Sequence, residues 1–226
     1  MAVPPDLRLL RLLQLASPTL PVGAYAYSGG LEHAVSAGWV TDEDSAREWI
    51  RGVMMRGLST LDVPVLRRLH AAWSSEREDE ACQWSAFLLA CRESAELRAE
   101  DQHLGTAMAR LLADLGIETA RPWAGHAHCT WAAMFSLAAY CWRIEAEAMQ
   151  QAYLWSWCEN QVAAAIKLVP LGQTAGQRIL HACSEAIVVG IRHAATLTDD
   201  DLGHGLPGLA LGSALHETQY SRLFRS

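Results

Sequence analysis

The sequence predicts an all-α fold: one single-domain bundle of about ten helices around a central apolar helix, with no sheet. Three observations lead there. Apolar residues recur at helical spacing in nearly every segment. No Val/Ile/Thr-rich run alternates with polar residues between turn signals, as a strand would. The stretch from Tyr153 to His181, YLWSWCENQVAAAIKLVPLGQTAGQRILH, carries only Lys167 as a formal charge between Glu159 and Arg178. Its apolar residues surround the helical wheel, the mark of a core helix wrapped by others.

Taken in order, residues 6–16 place Leu9, Leu12, Leu13 and Ala16 at helical spacing, with Arg8 and Arg11 on the other side. The segment SPTLPVGAYAYSGGLE (17–32) breaks this pattern with prolines and glycines. It reads as an ordered loop leading into a helix at 31–37 that Gly38 ends. Thr41 with Asp44 forms a capping box for a helix over 42–58, and Asp62-Val63-Pro64 starts another over 63–73. Charged residues 76–80 open a helix with Trp84, Phe87, Leu88 and Cys91 inward. A helix over 93–115 presents Leu97, Leu104, Met108, Leu111 and Leu112 to the core and its Glu and Arg to water. A loop at 116–125 precedes helices at 126–144, 146–169 and 173–194. Pro170 separates the last two, because it lacks an N–H and its ring crowds the preceding turn. An acidic turn at 198–201 and a helix at 207–216 lead to the tail 217–226. No repeat or linker divides the chain, so 1–226 reads as one domain.

Composition excludes several classes. The chain has 226 residues, enough for a substantial core without metals or disulfides. Its net charge of −7 and the lack of any basic run argue against nucleic acid as a partner. Six cysteines (Cys82, Cys91, Cys129, Cys141, Cys158, Cys183) form no C-x-x-C pair and read as reduced core thiols of a cytoplasmic protein. The start, MAVPPDLRLLRLL, is no signal peptide, since Asp6, Arg8 and Arg11 interrupt the apolar run. Pro122 to Trp142 lacks any Asp, Glu, Lys or Arg. Its alanines and its His126, His128, Thr130 and Ser136 nonetheless favour a buried helix over a membrane span.

Few residues carry chemical character. Lys167 is the only lysine, every other fixed cation being arginine, and it lies in the least polar region. It is either a cation capping a helix C-terminus or a compact ammonium that a site requires. GAYAYSGG at 23–30 lacks the Gly-Lys-Ser/Thr core of a phosphate loop. It reads as a turn-rich connector with Tyr25 and Tyr27 packed inward and its glycines at positive φ. His126, His128 and Cys129 are ligand types without a visible partner cluster, so no metal site is assigned. The tail HETQYSRLFRS is either frayed or a docking segment. Its aromatic residues and arginines favour docking.

Three segments, LLQLASPTLPVGAYAYSGGLEHAVSAGWV (12–40), AAAIKLVPLGQTAGQ (163–177) and HETQYSRLFRS (216–226), resemble the urease accessory protein UreF family. Ala24 and Gly29 depart from that pattern, standing where Gly and Gln are usual. The resemblance covers the whole chain. It implies a non-enzymatic, chaperone-like role without cofactor in inserting nickel into the urease metallocentre. It further implies a homodimer, pairing with UreD (also called UreH), recruitment and control of the GTPase UreG, and action on the urease apoprotein. Carried onto this sequence, Lys167 matches a lysine tied to faithful metal insertion, and Arg222 matches an arginine tied to tail ordering and UreG recruitment. The partner-binding residues expected are Lys167, Tyr220, Arg222, Leu223, Phe224 and Arg225, on a tail that is mobile until it binds. Lys167 is expected to bond carbonyls or a Glu159-type acceptor at the helix break. The alternatives are a helical enzyme with a Lys167-centred pocket, using Glu159 and a distant Cys or His, and a nickel store.

Overall fold

The computed structural model describes the backbone of residues 5–226 and side chains from Leu7 onward. Residues 1–4, part of the signal-peptide question, lie outside the described residues. Among the described residues there are ten α-helices, short 3₁₀ and π segments, and no strand. The helices are α1 Pro5–Ala16, α2 Leu31–Ser36, α3 Glu43–Val53, α4 Asp62–Ser74, α5 Glu78–Ala90, α6 Ala95–Asp114, α7 Trp131–Cys141, α8 Ala146–Leu168, α9 Gln173–Ala194 and α10 Pro207–His216. None is long and apolar enough to cross a membrane.

Helix α8 packs against α1, α2, α3, α4, α7 and α9, the central position its sequence predicts. The more thoroughly enclosed helix is α7. Every residue from Ala132 to Ala139 is buried there, so the charge-free run forms the innermost layer. Thr130 starts α7 by accepting the Ala133 N–H. Helix α8 stops at Leu168, Val169 is extended, and Pro170 follows, as the missing proline N–H requires.

Three local readings are corrected. The first capping box belongs to Asp42 and Ser45, whose side chains exchange bonds with each other's backbone N–H; Thr41 and Asp44 do not form one. The 42–58 helix becomes α3 plus a π turn at Met54–Leu58, and the wide turn buries both Met54 and Leu58. Helix α1 is rotated from its predicted face. Leu12, Leu15 and Ala16 pack inward, Arg8 pairs with Glu145, Arg11 lies over Trp142, and Leu9 and Leu13 are exposed. In α5 the inward set Trp84, Phe87, Leu88 and Cys91 is borne out, with Leu88 fully buried and the others half-buried against the core beside Ala81, Ser85 and Leu89.

An interior ionic knot ties four helices. Arg92 bonds Asp62 Oδ1 at 2.6 Å and Asp101 Oδ2 at 2.8 Å. Tyr153 of α8 donates to Asp62 at 3.1 Å, and Asp101 caps α7 by accepting the Trp131 N–H at 2.7 Å. Burial disfavours the Arg92 charge, but Asp62 and Asp101 together outweigh it and keep the guanidinium protonated. Helix α6 lies directly on the 129–130 backbone because Gly105 has no side chain. A Cβ there would sit 2.5 Å from the Thr130 carbonyl carbon and 2.7 Å from the Cys129 oxygen. Gly105→Ala is therefore expected to lower stability by about 2–3 kcal/mol in urea denaturation. An unchanged midpoint would mean that α6 can slide away from α7 freely.

Candidate functional site

Helix α10 ends at His216, whose fully buried ring lies between two carboxylates. Its Nδ1 is 2.7 Å from Glu96 Oε2 and its Nε2 3.1 Å from Glu32 Oε2. Each ring nitrogen thus faces a carboxyl group from a different helix. The next residue, Glu217, accepts the backbone N–H groups of Ala95 and Glu96 at 3.0 and 3.4 Å. Those are orphan donors at the positive end of α6, where a carboxylate is favoured. The end of α10 is thereby pinned to the start of α6.

From there the tail folds back over the body. Arg222 Nη1 donates to Glu96 Oε1 at 2.9 Å. The N–H groups of Leu223 and Phe224 donate to the two oxygens of Glu32, at 2.6 and 2.8 Å. The Arg225 N–H reaches the Ala26 oxygen at 2.8 Å, and the Ser28 N–H and hydroxyl both donate to the Ser226 main-chain oxygen. The Ser226 hydroxyl donates to Glu100 Oε2 at 2.8 Å. Receiving this segment is the task of the 23–30 loop, where Gly23, Gly29 and Gly30 hold the positive φ expected of them. Tyr27 is buried as expected, whereas Tyr25 is 71% exposed, against expectation.

Phe224 is buried, and Lys167 Nζ stands 5.5 Å above its ring. At an exposed lysine such a contact contributes about 0.5–1 kcal/mol. The two features that stood out in the sequence thus form one surface. Around it Tyr220 is fully exposed, Leu223 is 65% exposed and Arg225 points to solvent.

This arrangement corrects two expectations. In this structure the tail is docked: Phe224 fills a place in its own chain, and the 223–224 N–H groups add two donors to Glu32, which His216 also faces. Lys167 makes no hydrogen bond or ion pair among the described residues, and it is exposed. Glu159, the acceptor expected for it, instead lines a cavity of about 220 Å³ that Lys167 does not reach. The Lys167-centred pocket is therefore absent, and a desolvated Schiff-base lysine has no basis here.

That cavity has Asp62, Arg92, Asp101 and Tyr153 of the ionic knot in its wall, together with Glu100, Trp131, Trp157 and Tyr25. Burial raises the pKa of Glu159, and it pushes Glu100 up to about 7. Elsewhere, His126 Nε2 lies 3.7 Å from Cys82 Sγ on the surface, and no cluster of three or more His, Cys, Asp or Glu converges on a metal position among the described residues.

Sequence reasoning missed Glu32, Glu96, Glu100, His216, Ser28 and Ser226. The reading of α6 sent its glutamates to water, yet Glu96 and Glu100 turn inward. A signal existed: 96 and 100 are four apart and flank the 97/104 apolar stripe, so they share its side of the helix.

The UreF family model matches residues 40–184. A urease accessory protein UreF from Alkalilimnicola ehrlichii is 53% identical over 98% of this chain and 97% of its own length. Those of Hahella chejuensis and Teredinibacter turnerae are 45% and 48% identical, over 98% and 97% of this chain and 100% and 99% of their own lengths.

Glu32→Ala should leave helical content unchanged while weakening docking of the tail by about 2–4 kcal/mol, since bonds to a charged acceptor are lost. Trypsin cleavage after Arg222 and Arg225 would then accelerate. Equal cleavage of variant and wild type would show that Glu32 does not hold the tail.

Proposed function

Because this chain belongs to the UreF family of urease accessory proteins, we propose that it serves urease maturation as a non-enzymatic helical adaptor, working by contact with other proteins in the cytoplasm. On this reading it forms a homodimer, pairs with UreD (UreH), recruits and controls the GTPase UreG, and acts on the urease apoprotein while nickel is inserted. Nickel is cargo of that process, and the chain itself holds no cofactor.

One observation carries the proposal. Lys167 and the tail, separated by about fifty residues in sequence, meet in a single surface with aromatic, apolar and cationic side chains open to solvent. Tyr and Arg beside an apolar residue make a composition suited to anchoring a partner. Tyr220, Leu223 and Arg225 would be the contacts, Arg222 and Phe224 would hold the segment in shape, and Lys167 would fix the Phe224 ring. The net charge of −7 agrees with protein partners and gives no reason to invoke nucleic acid or a membrane.

The double variant Tyr220→Ala/Leu223→Ala removes only exposed side chains, so its fold should be unchanged. Co-purification with UreG in cells expressing UreD should fall by at least about tenfold, as loss of an interface hot spot implies. Full retention of UreG would remove the tail from the interface. Lys167→Ala should lower urease activation with circular dichroism unchanged. A variant that instead loses helix would make Lys167 a stability residue.

A further inference from the structure

Three sulfur atoms from three separate elements come together in the core. Cys158 belongs to α8, Cys183 to α9, and Met54 opens the π turn that follows α3. All three side chains are fully enclosed. Cys158 Sγ lies 3.5 Å from Met54 Sδ and is also in hydrogen-bond contact with the Cys183 thiol. A thiol buried singly, as Cys129 is, packs as a small hydrophobe. Two thiols and a thioether in contact are chemically different, because their lone pairs can converge on one ion. The wide turn at Met54–Leu58 is what adds the third sulfur, and such turns are frequent at functional sites.

The donor set decides which ion would suit. No third His, Cys, Asp or Glu joins the two thiols as a metal ligand among the described residues, so the cluster is sulfur alone. Thiolate and thioether together favour Cu(I). Structural zinc takes four ligands, and nickel is better matched by nitrogen and oxygen donors.

We propose that Cys158, Cys183 and Met54 form a buried soft-metal site that takes one Cu(I) ion. The site lies apart from the surface assigned to partners and does not rest on that reading.

The distances require little movement. Metal–sulfur bonds of about 2.3 Å place two ligands of one ion about 3.8–4.0 Å apart. The Cys158–Met54 contact would open by only a few tenths of an ångström. On binding, both thiols lose their protons to solvent, and the ion gains two thiolate bonds and one thioether bond. The assembly then carries one net negative charge. Arg51, three residues before Met54, is the cation that acts on Cys183 and offsets that charge. The hydrogen bond from Cys158, aided by Arg51, lowers the Cys183 pKa against burial, which favours the thiolate a metal needs. Val53, next to Met54, and Trp157 and Glu159, on either side of Cys158, line the cavity of about 220 Å³. Its wall is thus one residue along the chain from two of the three ligands.

Anaerobic titration of the full chain with Cu(I), in ascorbate and against the chelator bathocuproine disulfonate, tests this. The wild type should retain one equivalent, and X-ray absorption of that ion should show sulfur neighbours only. A variant carrying Cys82→Ser, Cys91→Ser and Cys141→Ser lacks the half-buried thiols and should retain the ion equally well. Cys158→Ala and Cys183→Ala should each lose it. Met54→Leu keeps the volume of the core and should weaken retention by at least about tenfold, since even the loss of an outer partner of a metal costs that much. No retention by the wild type overturns the proposal. So does undiminished retention in Cys158→Ala or Cys183→Ala, or loss of the ion with the three half-buried thiols. Should the alanine variants lose their helical signal, Met54→Leu decides, and an unchanged affinity there overturns the three-sulfur site.

Discussion

A buried carboxylate left without hydrogen-bond partners costs several kcal/mol, and Glu32 at the start of α2 is buried. Its partners come from two directions. His216 arrives from α10, and the N–H groups of Leu223 and Phe224 arrive from the returning tail. Satisfying this one group fixes the path of the last residues. It places the Phe224 ring beside Lys167, sets Arg222 against Glu96 and brings Ser226 over Glu100. The same path is also held by Arg222 on Glu96, by Arg225 on Ala26 and by Ser226 on Ser28 and Glu100.

Helix α6 serves two electrostatic centres at once. Asp101 on one side completes the Arg92 knot, which binds α4, α7 and α8 together. Glu96 and Glu100 on the other receive the tail. The close approach of α6 to α7, made possible by Gly105, sets the depth at which both centres sit. The knot sets one cation, Arg92, against the carboxylates of Asp62 and Asp101. The tail clasp likewise has more acid than fixed cation, with Arg222 beside Glu32, Glu96 and Glu100.

The cavity wall holds the acids of the knot together with Glu100 and Glu159, whose pKa values burial raises, and Lys167 lies outside it. The exposed side of the clasp, by contrast, presents Tyr220, Leu223, Arg225 and Lys167 on a backbone held by charge-assisted bonds. A surface already ordered in this way would add little ordering cost to any contact made through it.

The sequence by itself determined the helical class, most helix boundaries and the break at Pro170, and it singled out Lys167 and the tail as unusual. Each depends on local periodicity, on backbone geometry or on an unusual residue. It did not determine which way α1 would turn, nor that α6 would send Glu96 and Glu100 inward. Amphipathic spacing names a face but not the neighbour that will claim it. Only the tertiary structure decided that His216 would be enclosed by Glu32 and Glu96, and that Phe224 would settle under Lys167. Those partners are separated by some fifty to more than a hundred and eighty residues, and pairing of buried charges over such distances is set by packing, where no local pattern reaches.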